Sequence, residues 1–150
     1  MTSTAASAVN GRVVALAHYA SRALLEAALA RHGLTFEQNV ALRTVAQAGG
    51  SLGREALVGE VVGFLKAPEP AVRAVLDGMV ATGLLEEDPA EVSRLRFTGA
   101  GRALADDTGA EGAGIAARLY AGIPTEDLAV AGRVLALATD RANAELAARR

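Results

Sequence analysis

The sequence has no cysteine and only two histidines, His18 and His32. Disulfides and thiolate metal sites are excluded, and so is a histidine-rich metal centre within one chain. Aromatic residues make up only 3%, so much of the 51% hydrophobic share is alanine. Alanine favours helix and packs closely but buries little area per side chain, and a core of this kind gains from pairing with a second copy. Positive charge is also short. Fifteen Lys and Arg meet 17 Asp and Glu, a net charge of −2, whereas a dedicated nucleic-acid binder is usually basic at least locally. No stretch reads as long and apolar enough to span a bilayer. The opening Met1–Ser7 lacks the basic start and apolar run of a signal peptide. These absences predict a cytoplasmic protein without metal, cofactor or membrane partner.

What is present is mostly helical pattern. Residues 9–31 read as a long helix with two apolar faces, one carrying Val13, Leu16, Ala20 and Leu24, the other Val14, Ala17, Leu25, Ala28 and Leu29. A helix apolar on two sides is packed on two sides, here against its own domain and a partner chain. Gly33 closes it, and Thr35 with Gln38 predicts a capping box opening a second helix. Gly49-Gly50 stops that helix, and Ser51 is expected to cap a short third one carrying Leu57, Val58 and Val61. After the turn Lys66-Ala67-Pro68-Glu69-Pro70, apolar residues at 72, 75, 76, 79 and 80 give the clearest helical period in the chain. Leu84-Leu85 and Leu95-Arg96-Phe97-Thr98 read as two short strands around a polar turn, residues 86–91. Gly109, Gly112 and Gly114 predict a bend or break in the helical stretch 101–122. Thr125 reads as the cap of a last helix, with an apolar stripe from Leu128 to Leu146.

Short helix, turn, amphipathic helix and two-stranded hairpin, in that order, make a winged helix-turn-helix. The fold class predicted is mainly α with a small β-hairpin wing, flanked by N- and C-terminal dimerisation helices. Several motifs carry a more specific likeness: Gly33-Leu34-Thr35 followed by Gln38 and Leu42, the segment Val80-Ala81-Thr82-Gly83-Leu84-Leu85, and Leu95-Arg96-Phe97-Thr98-Gly99-Ala100-Gly101. With these the chain resembles the MarR (multiple antibiotic resistance regulator) family over most of its length. The resemblance implies one domain over 1–150, with a winged lobe at 33–101 and dimerisation helices at 9–32 and 102–148. It also implies a homodimer, a double-stranded DNA operator, and a small aromatic or phenolic ligand held between the dimer lobe and the DNA lobe.

The sequence departs from that pattern where DNA would be read. With the apolar residues of the fourth helix turned inward, its outward side offers Ala71, Arg73, Ala74, Asp77, Gly78 and Ala81, of which Arg73 is the one good base reader. In the wing, Glu91 stands where the family has an arginine; a one-residue slip restores an acid at Asp88 but puts Ala90 in the arginine's place. Asn39 replaces a common aromatic. The DNA-contact residues expected are Arg73, Arg94, Arg96, Lys66 and Arg54. The ligand-binding residues expected are His18, Arg22, Asn39 and Arg43, although His18 also reads as an interface residue and Arg22 as half of a helix-surface pair with Glu26. No Ser-His-Asp signature or carboxylate pair marks a catalytic site. Two functions stay open: a ligand-responsive transcriptional regulator, or a winged-helix dimer with weak or lost DNA binding that binds or transforms a small molecule in its pocket.

Overall fold

A computed structural model describes residues 8–150. The opening Met1–Ser7, read above for a leader, lies outside the described residues. The elements in order are α1 (Gly11–Ala30), α2 (Phe36–Gln47), β1 (Ser51–Gly53), α3 (Arg54–Leu65), α4 (Glu69–Ala81), β2 (Leu85–Asp88), β3 (Glu91–Phe97), α5 (Gly99–Tyr120) and α6 (Thr125–Ala148). The chain divides into two compact units, Met1–Ile115 and Ala116–Arg150.

Helix ends follow their cap chemistry. The Asn10 side chain accepts from Val13 N at 3.0 Å and opens α1. At α2 the capping box closes as expected, with Gln38 N donating to Thr35 Oγ1 at 3.1 Å and Thr35 N to Gln38 Oε1 at 3.0 Å. Helix α1 ends with Leu34 N on Leu29 O and Gly33 N on Ala30 O, the paired bonds that need a left-handed residue at Gly33. The same pair, Leu84 N on Met79 O and Gly83 N on Val80 O, ends α4.

The core of the first unit lies where α2, α3 and α4 meet the sheet. Leu29, Leu42, Val45, Leu57, Val61, Val72, Leu76, Met79, Leu85 and Leu95 are all under 2% exposed or at that level. Each such side chain contributes about 1.5–3 kcal/mol on burial. Val72, Leu76 and Met79 turn α4 inward, with Val75 and Val80 partly buried beside them. The inward–outward division read from the period therefore holds.

Four local expectations are corrected. Ser51 does not cap α3. It lies in β1, which pairs antiparallel with β3 (Ser51↔Arg96, Leu52↔Leu95, Gly53↔Arg94), and α3 starts after Gly53 without a side-chain cap. Residues 86–91 are not all turn. Glu86–Asp88 extend β2 and Glu91 begins β3, giving a sheet ordered β1-β3-β2 with an irregularity between Glu87 and Asp88. Helix α5 runs unbroken through Gly109, Gly112 and Gly114. One reason is that Gly101 and Gly109 are contact positions: a β-carbon would strike the Leu84 carbonyl at the first and the Arg43 guanidinium at the second. Last, Pro124 rather than Thr125 stands at the start of α6, with no side-chain cap.

The expectation on membrane spans also changes. Helix α1, at 20 residues and mean hydropathy 1.3, is long and apolar enough to cross a membrane by length and composition. Its leucines and valines, Val13, Val14, Leu16, Leu24, Leu25 and Leu29, supply most of that value, with seven alanines between them. The helix also carries Arg12, Arg22 and Glu26, and its Ala28 and Leu29 are buried in the first unit.

Candidate nucleic-acid interface and ligand site

The five expected DNA contacts fall on α3, α4, β3 and the α3–α4 turn. Arg73 leaves the outward side of α4, where Ala71, Ala74, Asp77 and Ala81 are exposed. Arg94 and Arg96 alternate with buried Leu95 and Phe97 along β3, so the pleat aims them away from the core. Arg54 opens α3. Lys66 ends α3 in a left-handed conformation, φ 54°, and is exposed.

Four of the five meet a carboxylate of the same lobe. Arg73 holds Glu55 through two parallel bonds, Nη1–Oε1 at 3.0 Å and Nη2–Oε2 at 2.7 Å. It also donates to Glu69 Oε1 from Nε at 2.9 Å and Nη2 at 2.7 Å. Arg54 Nη1 reaches Asp77 Oδ1 at 2.9 Å. Arg96 reaches its cross-strand partner Glu86 at 2.9 Å. Arg94 donates to Ser51 Oγ and Ser51 O, each at 3.2 Å, with Glu91 farther off at 3.8 Å. The charges move accordingly. Glu55 is held below the usual carboxylate range by the Arg73 hydrogen bond, and the Arg73 guanidinium is raised by Glu55 first and Glu69 second. Over residues 51–98 the acids are Glu55, Glu60, Glu69, Asp77, Glu86, Glu87, Asp88 and Glu91, against Arg54, Lys66, Arg73, Arg94 and Arg96.

The four expected ligand residues occupy α1 and α2. His18 is exposed, its ring edge-on to Tyr19 at 5.7 Å. Arg22 stacks over the Phe36 ring at 4.2 Å, binds Glu26 at 2.9 Å and reaches Glu37 on α2 at 3.3 Å. These bonds raise its charged state, Glu26 most of all. Asn39 is buried in α2. Arg43, one turn on, turns to α5, where Nη2 donates to the Ala105 carbonyl and Nε is buried without a partner. Among the described residues, no hydrogen bond joins any two of these four.

Other polar residues were not picked out from the sequence. Glu111 on α5 receives both Arg31 and His32, with His32 Nε2 at 2.9 Å from Oε2. The two partners are 79 positions apart in the chain, and no local pattern joins them. An apolar cleft between α2, α3 and α4 is lined by Val61, Leu65, Ala67, Ala71, Val72 and Val75, with Glu37 at its edge. Its volume, about 40 Å³, is far below the roughly 300–1,000 Å³ of small-molecule sites. No group of three or more metal-ligating residues occurs among the described residues.

No family sequence model and no curated protein sequence matches the chain. Solved structures do. The transcriptional regulator PA3341 superposes with a TM-score of 0.74 at 22% identity, over 89% of this chain and 97% of that one. A MarR family protein of Mycobacterium tuberculosis in complex with salicylic acid gives 0.63 at 26% identity, over 86% and 97%. The same protein in complex with DNA gives 0.66 at 24% identity, over 86% and 96%. A mutant of E. coli MarR complexed with operator DNA gives 0.68 at 18% identity, over 85% and 91%. The chain has the winged helix-turn-helix fold of MarR-family regulators, with six helices and a three-stranded antiparallel sheet among the described residues.

Proposed function

We propose that this protein is a transcriptional regulator of the MarR type that works in the cytoplasm as a homodimer. It lays α4 in the major groove of a double-stranded operator and the β2–β3 wing beside it. The observation that carries this reading is the placement of Arg73 on the outward side of α4 and of Arg94 and Arg96 on the outward side of β3. These are the helix and the hairpin that a winged helix presents to DNA. Two structures of this fold, cited above, contain DNA. Dimerisation is supported by the apolar side chains that α1 and α6 leave exposed, among them Val13, Leu16, Leu24, Val134, Leu135 and Leu137. The ligand proposed is a small aromatic acid or phenol near His18, Arg22, Asn39 and Arg43. The Arg22 guanidinium, already on Phe36, would offer it a cation beside an aromatic face.

A mobility shift with the DNA upstream of the protein's own gene tests this reading. A complex that weakens steeply with salt is expected; no complex even at low salt overturns it. The second reading, a dimer of this fold whose DNA function is weak or lost and which acts through its pocket, is favoured by one observation. The arginines of the DNA face are already engaged by carboxylates.

A further inference from the structure

We infer that Glu55 and Glu69 hold Arg73 as an internal substitute for phosphate, so that DNA binding at α4 proceeds by exchange of one anion for another. This inference rests on the DNA-binding reading of α4 and goes beyond it by naming what restrains the contact.

The geometry is specific. A guanidinium grips a phosphate or a guanine edge with a planar fork of N–H donors. In Arg73 the Nε, Nη1 and Nη2 atoms all donate already, with the fork closed on Glu55 and the other edge on Glu69. Such bidentate, charge-assisted bonds are the strong kind. Both acids sit where a carboxylate is favoured without any arginine. Glu55 is in the first turn of α3 and Glu69 in the first turn of α4, each at the positive end of a helix dipole. They come from different elements, 18 residues apart in the case of Glu55, and converge on one side chain. A merely solvated charge run would not close on a single arginine in this way.

The exchange has a thermodynamic signature. A free arginine that meets DNA releases about one condensed counterion per phosphate contact. When Arg73 leaves Glu55 and Glu69 for a phosphate, the two bared carboxylates recruit cations from solution. Release and uptake then offset, and the contact adds little to the salt dependence.

The test uses the full chain, a labelled duplex from its own upstream DNA, and fluorescence anisotropy across a salt series. The double variant Glu55→Gln with Glu69→Gln frees Arg73. Its control is Glu60→Gln with Glu87→Gln, which changes the net charge equally; neither acid is ion-paired among the described residues. The latch variant is expected to bind about two- to fivefold tighter than the control, within the range of an exposed ion pair. Its plot of log affinity against log salt should be steeper by about one unit. Adding Arg73→Gln to the latch variant should abolish both gains. Equal affinity and slope in the latch and control variants, with measurable wild-type binding, would overturn the inference and leave the DNA-binding reading intact. Binding by the latch variant alone would support the inference and show that the native chain is not a working DNA binder. No binding by any variant at low salt would overturn both.

Discussion

Gly101 lies so close to the carbonyl oxygen of Leu84 that no β-carbon fits between them. The two residues bring the start of α5 against the end of the α4 segment, and the opposing atom is backbone, which cannot swing aside. Gly78, in the last turn of α4, has nothing within 4 Å of where its β-carbon would stand. The same substitution should therefore act in opposite directions. Gly101→Ala is expected to destabilise by about 1–3 kcal/mol or more, as overpacking does. Gly78→Ala should stabilise by up to ~1 kcal/mol through helix propensity. Urea denaturation of both variants checks this, and a neutral Gly101→Ala would show that α5 and Leu84 are not in contact.

Dimerisation predicts a response at residues that a single chain leaves exposed. Leu16 on α1 is 56% exposed and Leu137 on α6 is 51% exposed. Obligate dimers commonly bury more than about 2,000 Å². Leu16→Glu and Leu137→Glu should each shift the sedimentation profile toward monomer and lower thermal stability. Leu25 is a poorer probe, because it packs against the core of its own chain. A wild-type protein that sediments as a folded monomer at micromolar concentration would refute the dimer.

On the wing, the two arginines should behave differently. Arg94 is bound mainly by the neutral Ser51, with its nearest carboxylate at 3.8 Å, whereas Arg96 is tied to Glu86 at 2.9 Å. Arg94→Ala should weaken DNA binding about equally across sequences and lower the salt slope by ~1. Arg96→Ala should weaken binding with a smaller change in slope. Arg73→Ala should relax sequence preference with little change in slope, because the native Arg73 exchanges its carboxylates for DNA and so adds little to the salt dependence. Unchanged affinity in all three variants would place the docking face elsewhere.

Reversing charge on the same face should raise affinity. Glu91 is exposed where β3 begins, and Asp77 holds Arg54. Glu91→Arg combined with Asp77→Asn removes two repulsive groups, adds a base and releases Arg54. Tighter binding at low salt is expected, and the gain should shrink as salt rises, since exposed charges are screened. No gain at low salt would mean that this surface does not meet DNA.

The Arg73–Glu55 contact also has a pH signature. The carboxyl of Glu55 is held below its ordinary value by the Arg73 hydrogen bond. A depressed carboxyl stabilises the fold at pH values above the ordinary carboxylate range, and that contribution disappears as pH falls through the folded value. Carbon-detected NMR titration should find Glu55 below the usual ~4.3 and restored to it by Arg73→Gln. An unperturbed Glu55 in the wild type would contradict the contact.

The helices were legible because their signals are local. The α2 capping box and the glycine-terminated ends of α1 and α4 each draw on residues within about a turn of one another. The role of Ser51 was not legible, since its partner Arg96 lies far along the chain and a three-residue strand has no period of its own. The unbroken α5 was missed for a related reason: glycine's low propensity is visible in sequence, but the surfaces that press on Gly101 and Gly109 are not. At the candidate site, composition already shows that acids outnumber bases between residues 61 and 98. It could not show that Arg73 would find Glu55, or that Arg43 would turn to α5.

The Thr98 hydroxyl donates to Gly83 O at 2.6 Å and accepts from Gly101 N at 3.0 Å. One oxygen thus pins the turn that closes α4 to the first turn of α5. Thr98→Val would remove both bonds at once: the turn after α4 would lose its tie to α5, and the first turn of α5 would lose the acceptor for its Gly101 N–H.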